Sequence, residues 1–157
     1  VLALYTFLPA WVQNGGIEVM GKNISDTWLQ QRILKDLPEI PDPHNFIVAE
    51  EDGKIVGLTT WKMQGLPRHQ LAELDRIAVL PDFRGKGVAR ELFEGLKREA
   101  SEEYKKRGSK LRKLYLLTHD DNKRAQAFYS KMGCKHETVL KHHYYHGKDE
   151  LVFSRFF

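Results

Sequence analysis

The chain has little of what marks a secreted or membrane-spanning protein. It contains a single cysteine, so no disulfide can form within it, which is typical of a reducing compartment. No apolar run is long enough to cross a bilayer. The apolar opening, residues 1–10, has no basic flank before it, so we interpret it as a buried edge strand rather than a signal peptide. The sequence therefore predicts a cytoplasmic protein with no membrane partner.

The sequence also lacks internal repeats and low-complexity segments. Its length of 157 residues favours one domain over residues 1–157 with a sizeable core. A hydrophobic content of 41% with 29% charged residues is ordinary for a soluble protein. The net charge of +4 suits an anionic small ligand, and it leaves nucleic acid open as an alternative partner.

Apolar periodicity predicts an α/β fold. Asp52-Gly53 predicts a hairpin turn, and Gly108 predicts a helix end. A long helix between the strands at 71–80 and 114–118 should make those two strands parallel neighbours. Strands are expected over residues 1–7, 46–50, 54–61, 71–80, 114–118, 135–144 and 149–156, and helices over 8–14, from Ser25 or Asp26 to Leu37, over 88–107 and over 123–132.

The stretch Arg84-Gly85-Lys86-Gly87-Val88-Ala89 joins an apolar strand to the long helix. Glycines allow close approach of the backbone to a ligand, and the first helical N–H groups have no partner within the helix. The pattern is not a P-loop, because Val88 follows Gly87, and it is not the dinucleotide fingerprint, because Arg90 stands where a small residue is needed. It predicts a pyrophosphate site; an ordinary basic turn is the alternative.

This stretch resembles the Arg/Gln-x-x-Gly-x-Gly/Ala signature of the GNAT N-acetyltransferase superfamily, with Arg84, Gly87 and Ala89 at its fixed positions. A second segment, Asn122 to Cys134, resembles the family's Asn-x-x-Ala-x-x-Phe-Tyr-x-Lys-x-Gly-Phe element. The resemblance extends over residues 46–157. It implies a mixed, largely antiparallel sheet of six to seven strands with helices on both faces.

The resemblance also implies the reaction, which is transfer of an acetyl group from acetyl-CoA to a primary amine by direct attack in a ternary complex. The acceptor is left open between a small-molecule amine and a peptide or protein amine. In the family, backbone groups of one strand bind the pantetheine arm and the loop binds the pyrophosphate. The cofactor-binding residues implied here are Ile77, Ala78, Val79, Arg84, Gly85, Lys86, Gly87, Val88, Ala89 and Asn122.

Two side chains are candidates for proton transfer. Glu73 lies where the histone-acetylating branch has a glutamate base, and Asp75, on the same face of an unbulged strand, is the fallback. A solvent-facing Glu73 paired with Arg76 is the alternative. Tyr129 matches the tyrosine that protonates the departing CoA sulfur, and a purely core role is its alternative. Asn122 can cap the following helix as well as contact the cofactor.

The C-terminal hairpin carries Tyr144-Tyr145, which resemble the acceptor-binding tyrosines of protein N-terminal acetyltransferases in the superfamily, although one residue fewer separates them from Gly147. Aromatic packing on a hairpin is the alternative. We predict no metal site, because His142 and His143 point to opposite faces of a strand. Cys134 replaces a core aromatic residue and is not expected to be a nucleophile.

Two other classes of function remain open. A degenerate member could sense CoA without catalysis, and retention of Glu73 and Tyr129 argues against it. The basic run at residues 105–113 could contact nucleic acid, but acidic residues precede it, and a solvated helix end is favoured. A homodimer is also left open.

Overall fold

The computed structural model describes the backbone of residues 2–7, 12–13, 16–19 and 22–23, and the chain with its side chains from residue 45 to 157. The helix predicted over 8–14 is wrong at Val12–Gln13, which form a short strand. The β-branched Val12 pairs there with Ile17, so inter-strand pairing replaces the helix. The helix predicted from Ser25 to Leu37 lies outside the described residues.

Seven of the described strands form one mixed sheet, and three short ones form a second sheet. The large sheet has the order β1-β5-β6-β7-β8-β10-β9, and the small one β2-β3-β4. The strands are β1 (Leu2–Phe7), β2 (Val12–Gln13), β3 (Gly16–Val19), β4 (Lys22–Asn23), β5 (Asn45–Glu51), β6 (Lys54–Gln64), β7 (Leu71–Val79), β8 (Lys113–His119), β9 (Lys135–Tyr145) and β10 (Lys148–Phe156).

The helices of the described chain are α1 (Val88–Lys106) and α2 (Lys123–Lys131), as the apolar periodicity predicted. A 3-10 turn, Pro81–Phe83, precedes α1. Gly108 has a φ of +67°, and its N–H donates to the C=O of Lys105, which confirms it as the end of α1. Neither helix is long and apolar enough to cross a bilayer.

The chain divides into two compact units. The first comprises Val1–Lys62 and Arg76–Arg98, and the second comprises Met63–Asp75 and Glu99–Phe157. The chain passes between them within β6, β7 and α1.

The first unit contains the β5–β6 hairpin. Asp52 and Gly53 both have positive φ, +49° and +78°, which is the conformation that a tight turn between twisted strands needs. Gly57 on β6 allows α1 to pack closely, because a Cβ there would lie 3.0 Å from Cδ1 of Leu92 and 3.1 Å from Cγ1 of Val88. The first turns of α1 are thereby held against the sheet. The core of this unit includes Phe46, Ile47, Val48, Val56, Leu58, Trp61, Leu92, Phe93 and Leu96.

The second unit contains β8, β9, β10 and α2. β8 pairs in parallel with β7, as predicted, and in antiparallel fashion with β10. Side chains of β8 alternate between buried and half-buried, so one face of this strand packs in the core and the other carries Tyr115, Leu117 and His119. The core of this unit includes Ala72, Tyr104, Leu111, Leu114, Leu116, Tyr129, Cys134 and Phe153.

Candidate functional site

The glycine loop of the first unit has the backbone of an anion site. Gly85 and Gly87 have φ of +73° and +88°, and an added Cβ at either position would meet no atom within 4 Å in the described part of the chain, its two neighbours in sequence aside. The N–H of Glu91 makes a helical bond to the C=O of Gly87, so the amides of Val88, Ala89 and Arg90 begin α1 without an acceptor in the helix. The glycines therefore allow a left-handed backbone and leave the space beside it open, and they are not needed for close packing. An open backbone of this kind at a helix start suits a phosphate ligand.

Two basic side chains of this loop are held by neighbours. Nε of Arg84 donates to the C=O of Val79 at 3.1 Å, which ties the loop to the end of β7. The ammonium of Lys86 lies 5.1 Å from the centre of the Phe83 ring. Ile77 and Ala78 are half-buried on β7, and Val79 is buried. The cofactor-binding residues predicted on this part of the chain thus form one continuous strand, turn and helix start.

Glu73 is a buried carboxylate, not a solvent-facing one, with 8% of its surface exposed. Its Oε2 accepts hydrogen bonds from the amide of Gln64 and, at 3.0 Å, from the hydroxyl of Tyr115. Neither donor was identified from the sequence, because neither belongs to a motif. Asp75 is half-buried on the same strand. The second unit therefore holds Glu73 by two specific donors.

Tyr129 is a buried residue of α2, with 6% of its surface exposed. Its ring lies 5.3 Å from that of Phe128 and 6.5 Å from that of Phe153. Burial raises the pKa of Tyr129, and the nearby Cys134 raises it further. The hydroxyl therefore keeps its proton at neutral pH, as a general acid must.

Cys134 has a structural environment. Its thiol is buried, and burial raises its pKa to about 11, although the Arg155 guanidinium opposes this rise. The thiolate is the reactive form of cysteine, and little of it exists at neutral pH with such a pKa. The environment of Cys134 therefore does not favour a nucleophilic role.

Asn122 caps α2. Its Oδ1 accepts the N–H of Ala125 at 3.2 Å, which satisfies one of the free amides of the helix start. The backbone of the preceding loop is held as well, because the C=O of His119 accepts both the N–H of Asn122 and the side-chain amide of Gln126. The capping role expected of Asn122 is confirmed, and its contact with a cofactor stays a prediction.

A histidine–carboxylate pair that the sequence did not indicate lies beside this cap. His119 and Glu150 are opposite each other in the β8–β10 ladder, and Nδ1 of His119 lies 2.5 Å from Oε1 of Glu150. No other polar group of the described residues bonds to either atom. Glu150 is 3% exposed, so the imidazole lies beside a buried carboxyl group. The sequence could have indicated this pair only if the register of β8 against β10 had been known.

Replacing His119 by alanine should lower the free energy of unfolding by about 3 kcal/mol, because it removes the imidazole that lies beside the buried Glu150 carboxyl group. Thermal and urea unfolding would measure the loss. His143→Ala, at an exposed position of β9, is the matched control and should change stability by less than about 0.5 kcal/mol. Equal stability of the two variants would contradict the dependence of Glu150 on His119.

Tyr144 and Tyr145 are exposed on β9, by 59% and 62%. The Tyr145 ring lies 6.0 Å from that of His119, and the charge of Tyr144 adds a small rise to the pKa of Tyr115. These tyrosines are therefore not part of the core.

The neighbouring histidines shape the turn between β9 and β10. His142 has a φ of +47°, its Nδ1 accepts the N–H of Gly147 at 2.7 Å, and its ring stacks on that of His146. Among the residues that the structure describes, no three histidine, cysteine or acidic side chains are grouped as a metal site would require. The histidine cluster thus has a local structural explanation.

Residues 17–134 match the model of the acetyltransferase (GNAT) family. An uncharacterized N-acetyltransferase of Methanocaldococcus jannaschii is 32% identical over 73% of this chain, which spans 45% of that protein. An N-alpha-acetyltransferase of Sulfurisphaera tokodaii is 32% identical over 69% of this chain and 67% of its own length.

A solved structure confirms the fold. The IAA acetyltransferase of Bacillus cereus aligns over 100% of both chains with a TM-score of 0.70 and 17% identity. The mixed, largely antiparallel sheet that the two motifs implied is therefore the one observed. On its sequence match and its fold, the chain belongs to the GNAT family of acetyltransferases.

Proposed function

We propose that this chain is an acetyl-CoA-dependent N-acetyltransferase for a primary amine, with residues 1–157 acting as one catalytic domain. The observation that carries the proposal is the loop before α1. It combines two glycines of positive φ, open space above both, and amides without an acceptor in the helix at the start of a 19-residue helix. The loop residues Arg84 to Ala89 would bind the pyrophosphate, and the backbone of Ile77, Ala78 and Val79 the pantetheine arm.

Acetyl transfer needs two proton movements. An alkyl amine has a pKa of ~10.4, so only about one molecule in a few thousand is neutral at pH 7. We assign Glu73, with Asp75 as the alternative, to take the proton of the acceptor ammonium. The amine nitrogen then bonds to the thioester carbon while the carbon–sulfur bond breaks. We assign Tyr129 to donate a proton to the departing thiolate, which its buried, protonated hydroxyl supports.

The acceptor class that we propose is the α-amine of a peptide or protein. The S. tokodaii relative is named an N-alpha-acetyltransferase, and the exposed Tyr144 and Tyr145 offer aromatic surface for an extended chain. Small-molecule amines are the alternative. A cytoplasmic location fits the single cysteine, and a homodimer stays a prediction.

A panel of amines, with release of free CoA thiol as the readout, tests this function. The panel contains peptides with a free N-terminus and no lysine, the same peptides with a blocked N-terminus and one lysine, and small diamines. We expect turnover with the first group. Turnover with the diamines alone would favour the small-molecule alternative. Binding of acetyl-CoA without thiol release from any amine would favour a CoA sensor, and salt-dependent binding of DNA or RNA without release would favour nucleic-acid binding.

A further inference from the structure

The parallel ladder of β7 and β8 brings a phenol directly beside the proposed base. The described pairs are Leu71 with Lys113, Ala72 with Leu114, and Glu73 with Tyr115. Side chains at paired positions of neighbouring strands point to the same face of a sheet. Glu73 and Tyr115, 42 residues apart in the chain, are thus neighbours on one face at the last pair of this ladder.

The phenol bonds to the carboxylate itself. The Tyr115 hydroxyl donates to Oε2 of Glu73 at 3.0 Å, and the Gln64 amide donates to the same oxygen. Hydrogen bonds to an ionised group are stronger and more directional than those between neutral groups. A carboxylate held at one oxygen by two donors from neighbouring strands keeps a defined rotamer, which proton transfer in a fixed geometry requires.

The environment of Tyr115 keeps it a donor. Burial raises the pKa of Tyr115, the Glu73 carboxylate raises it further by its charge and its hydrogen bond, and Tyr144 adds a smaller rise. Tyr115 therefore carries its proton throughout the neutral range.

We propose that Tyr115 is a positioning residue for Glu73, and that it fixes the carboxylate for deprotonation of the acceptor amine. The proposal rests on the proposed function, and it adds a residue that no motif of the family signature contains. Tyr115 acts through Glu73 and takes no proton itself. The alternative is a purely structural role, in which Tyr115 only fills space on the sheet. The experiment must distinguish this role from positioning of Glu73.

A double-mutant cycle tests the proposal. The variants are Tyr115→Phe, which keeps the ring and removes the donor, Glu73→Gln, and the two combined. We expect Tyr115→Phe to lower kcat about tenfold, the effect of losing one charge-assisted hydrogen bond, with the Kd for acetyl-CoA unchanged. In the Glu73→Gln background the same change should have no further effect, because the group that it positions is gone.

Tyr104→Phe is the matched control. Tyr104 is also a buried phenol that donates to β7, but its acceptor is the backbone C=O of Leu71 rather than the carboxylate. The Tyr104→Phe variant should have a lower melting temperature and a kcat within about twofold of that of the parent, because the hydrogen bond of Tyr104 is structural. This comparison separates the loss of a buried hydroxyl from the loss of carboxylate positioning.

Failure of the positioning role of Tyr115 and failure of the proposed enzymatic function give different results in these experiments. A tenfold loss from Tyr115→Phe that persists in the Glu73→Gln background, or an unchanged kcat in Tyr115→Phe, overturns the positioning role while the enzyme assignment stands. An unchanged kcat in Glu73→Gln overturns the role of Glu73 as base and this proposal with it. Absence of turnover by the parent enzyme with every amine contradicts the proposed function itself.

Discussion

Replacement of Gly87 by valine should weaken the binding of acetyl-CoA about a hundredfold or more. Gly87 has a φ of +88°, a region that β-branched residues avoid at a cost of about 1–3 kcal/mol. Apart from its chain neighbours, no atom of the described residues lies within 4 Å of an added Cβ there, so the new side chain would occupy the space that we assign to the pyrophosphate. Titration calorimetry with acetyl-CoA on folded protein would measure the loss.

Gly53→Val is the control for backbone strain. Gly53 has a φ of +78° and equally open surroundings, but it lies in the β5–β6 turn. Both variants should therefore lose a similar amount of stability, since both force a branched residue into the left-handed region. Only Gly87→Val should lose affinity for acetyl-CoA. A Kd that is the same in the two variants would remove the loop from the cofactor site.

Replacement of Tyr129 by phenylalanine should lower kcat about a hundredfold, with little change in the Kd for acetyl-CoA. General acid catalysis contributes about a hundredfold or more, and the variant removes only the hydroxyl. The ring contacts with Phe128 and Phe153 remain, so the fold should persist. Steady-state kinetics with the best acceptor of the amine panel, together with calorimetry, would separate the two quantities.

The pH dependence offers a check on the same residue. Because burial raises the pKa of Tyr129, its hydroxyl stays protonated through neutral and mildly alkaline pH in the parent enzyme. Activity of the parent should therefore not fall through loss of this proton between pH 7 and pH 9. A Tyr129→Phe variant with the kcat of the parent would exclude Tyr129 as the acid and leave it a core residue.

Local elements were predictable because they depend on neighbours in the chain. The Asp52-Gly53 turn follows from two residues that tolerate positive φ, and the ends of α1 follow from a glycine at each side. The parallel pairing of β7 and β8 follows from the helix between them. The helix predicted at Val12–Gln13 was wrong because a segment as short as residues 8–14 carries too little periodicity to separate strand from helix.

The partners of the candidate site were not predictable in the same way. Glu73 could be named from its place before the loop, but Gln64 and Tyr115 lie on other strands and carry no motif. The buried pair of His119 and Glu150 likewise depends on the register of β8 against β10. Side-chain pairs of this kind are decided by strand order and register, which a single sequence does not specify.

The sequence by itself determined the family, the glycine loop before α1 and the order of helices and strands from residue 45 onward, because spacing along the chain encodes turns, caps and apolar faces. The tertiary structure alone decided that Glu73 is buried, which donors hold it, and that Glu150 is buried beside the His119 imidazole. Burial and hydrogen bonding join residues tens of positions apart, and only strand pairing brings such residues within contact distance.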